Sequence, residues 1–223
     1  MNSIFLSGSH WPGVLLCVPV IAAAYFMGNI SPAILIGRLH GIDIKKEGSG
    51  NAGTTNVLRV LGKKAAAGTL AVDILKGVAA VALGRLAGSF LLAEPDLLAA
   101  ACCAAVFAGH IWPALFGFRG GKGIATGFGA IVTFQWQMGV GLLIVALLGM
   151  VLSRRVSVGS VLAALAMPAF AYYFQPDYLP VFTVMALIVI WKHRANIGRI
   201  RKGQEPKISF KKQEGLKKER KVN

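Results

Sequence analysis

Apolar residues gather along this chain into seven runs, at about 13–39, 64–88, 95–116, 122–134, 137–153, 158–174 and 178–193. A helix of roughly 20 apolar residues crosses the hydrocarbon core of a bilayer. The pattern therefore predicts an all-α integral membrane protein with about seven transmembrane helices. The fourth run is short and fits either a crossing or a half-helix. The stretches between runs alternate in charge. Lys45, Lys46, Arg59 and Lys63 follow the first run, Arg119 and Lys122 the third, Arg154 and Arg155 the fifth, and a basic tail begins at Lys192. The intervening turns, near 89–94, Gln135 and Gln175-Pro176-Asp177, carry no Lys or Arg. Basic loops stay on the cytoplasmic side, so the N-terminus is expected outside (periplasmic) and the C-terminus inside (cytoplasmic). Residues 1–206 form one polytopic domain in this reading, and 207–223 a basic cytoplasmic tail along the lipid surface.

Composition supports the membrane assignment and narrows the partners. Of 223 residues, 55% are hydrophobic and only 15% charged, and the net charge is +15. Much of that charge lies in the tail rather than on a soluble face, which argues against a nucleic-acid binder and for anionic membrane lipids. Cys17, Cys102 and Cys103 all fall in apolar runs, and neither a disulfide framework nor a metal motif is suggested. With no charged segment before it and no clear cleavage site, the first run is expected to be a retained helix.

Three polar motifs collect on the predicted cytoplasmic side. The first, Gly48-Ser49-Gly50-Asn51-Ala52-Gly53-Thr54-Thr55-Asn56, contains the dinucleotide spacing GxGxxG, with Asp73 about twenty residues on. That fingerprint needs a preceding strand and a βαβ unit. Here Lys45-Lys46-Glu47 precedes it and Asp73 lies in an apolar run. The second, Arg119-Gly120-Gly121-Lys122-Gly123, is no Walker A, because Gly123 follows where Ser or Thr is required. What remains is anion chemistry. Ser49, Asn51, Thr55 and Asn56 supply hydroxyls and amides, Arg59 a planar fork, and Lys122 an ammonium at the start of a helix. Either glycine loop alone is equally well a tight turn; the pair, with two cations, favours binding. The third motif is Lys192-His193-Arg194-Ala195-Asn196, where His193 and Asn196 share a helix face but are a weak signal by themselves. Asp73 and Lys76, three apart within a span, are expected to form a buried pair that fixes packing, with a smaller chance of touching the site. His110 is placed to support the second glycine loop.

These motifs, with their spacing, resemble those of the bacterial acyl-phosphate:glycerol-3-phosphate acyltransferases, the PlsY family, from about residue 20 to 206. The resemblance rests on Gly48 to Arg59, on Gly109-His110 through Thr126, on His193-x-x-Asn196-Ile197-x-Arg199 with Gly203-x-Glu205, and on Asp73-x-x-Lys76-Gly77 and Ser157-x-Gly159-Ser160. Arg119, Ala195 and Gly198 are small departures. The resemblance implies a seven-helix enzyme of the bacterial inner membrane with its site facing the cytoplasm. The substrates would be acyl phosphate and glycerol 3-phosphate and the products lysophosphatidic acid and phosphate, with no cofactor or metal. An acyl-phosphate-producing enzyme is an implied partner. Ser49, Arg59, Lys122, His193 and Asn196 would serve glycerol 3-phosphate. Asn51, Thr55, Asn56, Gly120, Gly121, Gly123 and Ser157 would complete substrate binding, with Thr55, Ser157 and the Gly120–Gly123 loop at the acyl phosphate. Asp73, Lys76, His110 and Glu205 would support the structure. His193 and a substrate phosphate oxygen are both open as proton acceptor, the latter preferred. The main rival is a transporter of a phosphorylated metabolite, which predicts an internal repeat and a site near mid-bilayer. A purely structural membrane protein would leave Arg59 and Lys122 unexplained.

Overall fold

The computed structural model describes residues 11–92 and 94–208. Most of the tail expected over 207–223 thus lies outside the described residues, as does the extreme N-terminus. Every apolar run is helical. The first run, however, is two helices, α1 (Trp11–Asn29) and α2 (Pro32–Leu39), bent by about 40° at Ile30-Ser31. Pro32 sits at the first position of α2, where its missing N–H costs nothing. Then come α3 (Thr54–Val60), α4 (Lys63–Leu91), α5 (Pro95–Ile111), α6 (Ile124–Phe134), α7 (Trp136–Ser153), α8 (Val156–Phe174), α9 (Leu179–Lys192) and α10 (Arg194–Arg201). Among the described residues α4, α5 with its 3₁₀ extension to Phe116, α7 and α8 are long and apolar enough to cross a membrane, and the α1–α2 pair would make a fifth. With 11 residues, α6 is only about 16 Å long at 1.5 Å per residue, about half a bilayer core. It is the short fourth run, held between α4, α5 and α7.

Backbone groups freed by breaks in apolar surroundings must find partners. At the α1–α2 break, the Lys76 ammonium of α4 donates to the carbonyls of Gly28 (3.1 Å) and Ile30 (2.7 Å). Its charge is met by Asp73 Oδ1 at 2.8 Å, and His110 Nδ1 lies 2.9 Å away. The Asp73–Lys76 pair is therefore a buried staple on a broken helix, as its spacing suggested. Asn29, fully buried in the same break, donates to Tyr25 O and accepts from the Leu115 amide. At the other end of the bundle, Arg85 of α4 caps the C-terminus of α6. It donates to the carbonyls of Thr133 (3.0 Å) and Phe134 (2.8 Å) and pairs with Asp96 (2.9 Å). Between these two clamps α6 lies directly on α4. A Cβ at Gly77 would stand 2.3 Å from Thr126 O, and one at Gly129 2.2 Å from Ile74 O, so only glycine permits the approach. The position of α6 matters because the loop before it carries Lys122.

Candidate active site

The three motifs meet. A cavity of ≈ 1450 Å³ is lined by Ser49, Asn51, Thr55, Asn56 and Arg59 from the first loop and α3, by Lys122 and Gly123, and by Ser157, His193, Asn196 and Glu205. Asp73 and His110 reach its wall as well. Lys76, Gly120 and Gly121 do not line it.

Within the first loop, Asn56 is the organiser. Only 1% exposed, it accepts from the Ser49 amide (2.8 Å) and hydroxyl (3.1 Å) through Oδ1. Its Nδ2 donates to the carbonyls of Ile44 (3.1 Å) and Glu47 (3.0 Å). Its polar atoms are therefore committed to the loop, and its effect on a ligand passes through Ser49. A second tie joins the two glycine motifs, since Lys45 Nζ donates to Phe116 O at 2.8 Å. Sequence reading passed over Lys45 as a topology charge.

Gly120 and Gly121 act differently from the cradle expected of them. Their amides donate to Ile111 O (3.1 Å) and His110 O (3.2 Å), closing the end of α5. A Cβ on Gly121 would fall 2.2 Å from His110 Nε2. The pair thus folds the loop tightly onto His110 and delivers Lys122 to the cavity. Gly123, with φ +83°, turns the chain into α6. The first amide–carbonyl bond of that helix runs from Gly127 to Gly123, which leaves the amides of residues 124–126 ahead of it.

Across the cavity, Glu205 is the hub. It is 5% exposed, and its Oε1 accepts from Ser157 Oγ (2.7 Å) and Asn196 Nδ2 (2.6 Å). Oε2 pairs with Arg199 Nε (2.7 Å), and Arg155 Nε holds the Glu205 carbonyl (2.9 Å). Asn196 Oδ1 in turn accepts from Lys122 Nζ. A continuous chain of hydrogen bonds thus runs from the second motif through the third to α8. Burial pushes the Glu205 carboxyl up, but the bonds from Ser157, Asn196 and Arg199 outweigh it and hold it below the usual range.

Lys122, in the loop ahead of α6, is pushed down to about 8, chiefly by burial. Glu205 opposes that shift, while Arg199, Arg59 and Lys192 add to it. This is a cationic pocket short of negative charge. His193, 3% exposed, donates from Nδ1 to Val189 O at 2.8 Å, so its free Nε2 is the acceptor. Burial first, and the Lys122 charge second, push it down to about 4. The ring is neutral at pH 7, an acceptor rather than a further cation. One further group was overlooked in the sequence: Thr54 Oγ1 is buried, without a hydrogen-bond partner, in a residue on the cavity wall. Its only sequence signal is its position beside Thr55. One side of the wall is apolar, formed by Leu70 and Ile74 of α4, Phe128 of α6, and Leu143, Leu147 and Met150 of α7.

Such a cavity, cationic at one end and apolar along one side, suits a molecule with an anionic head and an alkyl tail. The sequence profile described as glycerol-3-phosphate acyltransferase matches residues 18–203.

The chain belongs to the glycerol-3-phosphate acyltransferase family.

It is 40% identical over 201 residues to the glycerol-3-phosphate acyltransferase of Thioalkalivibrio sulfidiphilus, covering 89% of this chain and 97% of that one. It is 41% identical over 196 residues to that of Clostridioides difficile, covering 87% and 96%. Its fold matches the crystal structure of PlsY in the glycerol 3-phosphate form with a TM-score of 0.80 at 29% identity, covering 87% of this chain and 96% of that one. The lysophosphatidic acid form matches with a TM-score of 0.77 at the same identity and coverage. The family makes this chain an acyltransferase acting on glycerol 3-phosphate, and the transporter reading falls.

Proposed function

We propose that the chain transfers a fatty acyl group from acyl phosphate to the 1-hydroxyl of glycerol 3-phosphate. The hydroxyl oxygen bonds to the acyl carbon, the carbon–oxygen bond to phosphate breaks, and lysophosphatidic acid and phosphate leave. The observation that carries this reading is the cationic, water-reachable end of the large cavity joined to an apolar wall. Acyl phosphate is an activated mixed anhydride, so the enzyme need not supply a nucleophile. It must bring two anions together and orient one hydroxyl. Arg59, Lys122 and Ser49 hold the glycerol 3-phosphate head, with Asn196 steadying Lys122. Thr55, Ser157 and the first-turn amides of α6 face the acyl phosphate. Neutral His193 accepts a hydrogen bond through Nε2 and orients the attacking hydroxyl. Too weak a base at about 4 to keep the proton, it leaves a phosphate oxygen as final acceptor.

The chain would cross the bacterial inner membrane seven times, N-terminus outside and C-terminus inside, with the site open to the cytoplasm. Loop charge supports that orientation. Residues 1–206 form the catalytic domain and 207–223 a basic tail at the lipid surface, and an enzyme that produces acyl phosphate is the implied partner. The test is kinetic. Arg59→Lys keeps the charge but loses the fork, and Lys122→Ala leaves a phosphate uncompensated, a loss of about 2–5 kcal/mol. Both variants folded and kinetically wild type would remove these residues from the phosphate site.

A further inference from the structure

Behind the polar site lies a second space. A pocket of ≈ 90 Å³ sits between α5, α6, α7, α8 and α9. It shares Gly123, Ile124, Phe128, Leu143, Ala146 and Ser160 with the large cavity. We propose that this inner pocket takes the terminal methylenes of the acyl chain and sets which chain lengths the enzyme handles. The inference rests on the acyl-transfer reading of the large cavity but not on the identity of the donor.

Three observations support it. First, the pocket belongs to the bundle interior. Its deep walls, among them Phe107, Ala164, Met167 and Met185, are 1–7% exposed. Ile124 and Leu143, at 38% and 36%, belong to the wall shared with the large cavity, so the two spaces adjoin there. Second, it has no use for water. Its one polar side chain, Ser160, already donates to Val156 O at 3.1 Å. Room is not what excludes water, since a single molecule needs only about 10–15 Å³, but it also needs two or more polar partners. A dry apolar space takes an apolar guest. Third, the space is made by an absent side chain. A Cβ on Gly127 would meet only the Phe107 ring, at 3.5 Å, so nothing in the backbone forbids a larger residue there. A chain lying wholly in the open groove beside α7 would touch none of these residues and would be graded by length only through lipid partitioning.

The experiment displaces labelled glycerol 3-phosphate from the protein in bilayer nanodiscs with lysophosphatidic acids of increasing chain length. Gly127→Leu fills the pocket, and the preference for long over short chains should fall at least tenfold relative to wild type. Met167→Ala enlarges it and should shift the preference to longer chains. Unlabelled glycerol 3-phosphate should displace the label equally from all three proteins. If Gly127→Leu does not fold, Met167→Ala decides alone. A chain-length series unchanged in the folded variants overturns the pocket assignment and leaves the acyltransferase reading intact. Wild-type protein that cannot hold glycerol 3-phosphate at all would overturn the site reading instead.

Discussion

Removing the Glu205 carboxylate is the sharpest perturbation available to this site. Its two oxygens accept from Ser157, Asn196 and Arg199 at 2.6–2.7 Å. Ser157 and Asn196 are 6% and 7% exposed, so Glu205→Ala strands two buried donors at about 1–3 kcal/mol each. The Arg199 side chain is 39% exposed, which limits that ion pair to about 0–1 kcal/mol. The terms are not additive and water from the cavity can replace part of the loss, giving a net cost of about 3–5 kcal/mol. For a chain of this size that is a fall of roughly 6–20 °C in melting temperature. Glu205→Gln keeps an acceptor for the two neutral donors and should lose only about 1–2 kcal/mol. The sign with pH follows from the depressed native pKa. The carboxylate's contribution is present above the unfolded value, about 4.3, and disappears as pH falls through the native one. Melting followed between pH 3 and 7 should show that acid limb in wild type and a flatter profile in Glu205→Gln. Because Asn196 holds Lys122, the KM for glycerol 3-phosphate should rise in both variants. A Glu205→Ala protein that melts within roughly 2 °C of wild type, with its KM unchanged, would refute the hub.

Further outcomes follow from the same geometry. Lys122 titrates near 8 and must be charged to hold phosphate, so kcat/KM for glycerol 3-phosphate should fall as pH rises through that value. Lys122→Arg should move the limb out of range; an unmoved limb assigns it elsewhere. Lys76→Met removes the donor to the Gly28 and Ile30 carbonyls and leaves the buried Asp73 with His110 alone, at 3.3 Å, at about 3–5 kcal/mol; thermal melting checks it, and an unaltered melt would contradict the staple. Cysteines introduced at Lys46 and Asp177 should label from opposite sides of the membrane, the three native cysteines being buried. Labelling from one side would break the seven-crossing topology.

How much was legible in the sequence differs by feature. The helices were plain, because lipid solvation leaves long uninterrupted apolar runs. The break at Ile30-Ser31 was not, since hydropathy continues across it; only Ser31-Pro32 marked it, a weak cap signal inside an apolar run. The Asp73–Lys76 pair was expected from the cost of burying charge, but its targets, two carbonyls 46 and 48 residues away, have no local signature. The site loops were recognisable because Gly, Ser, Asn and cations are rare at such edges. Their internal division of labour was not. Asn56 and the Gly120–Gly121 amides look like ligand donors in sequence and are occupied by backbone in three dimensions. Glu205 was named only through the family resemblance, as structural support, and its contact with Ser157, 48 residues away, is what makes it the hub. Arg85 went unnoticed because none of its partners, Asp96 and two backbone carbonyls of α6, is a neighbour in sequence.

The donor decides the central claim. Purified protein supplied with glycerol 3-phosphate and palmitoyl phosphate in EDTA should release one phosphate for each lysophosphatidic acid formed, and palmitoyl-CoA should give no product. Product formed from palmitoyl-CoA, or formed from palmitoyl phosphate only when Mg²⁺ is restored, would contradict the account.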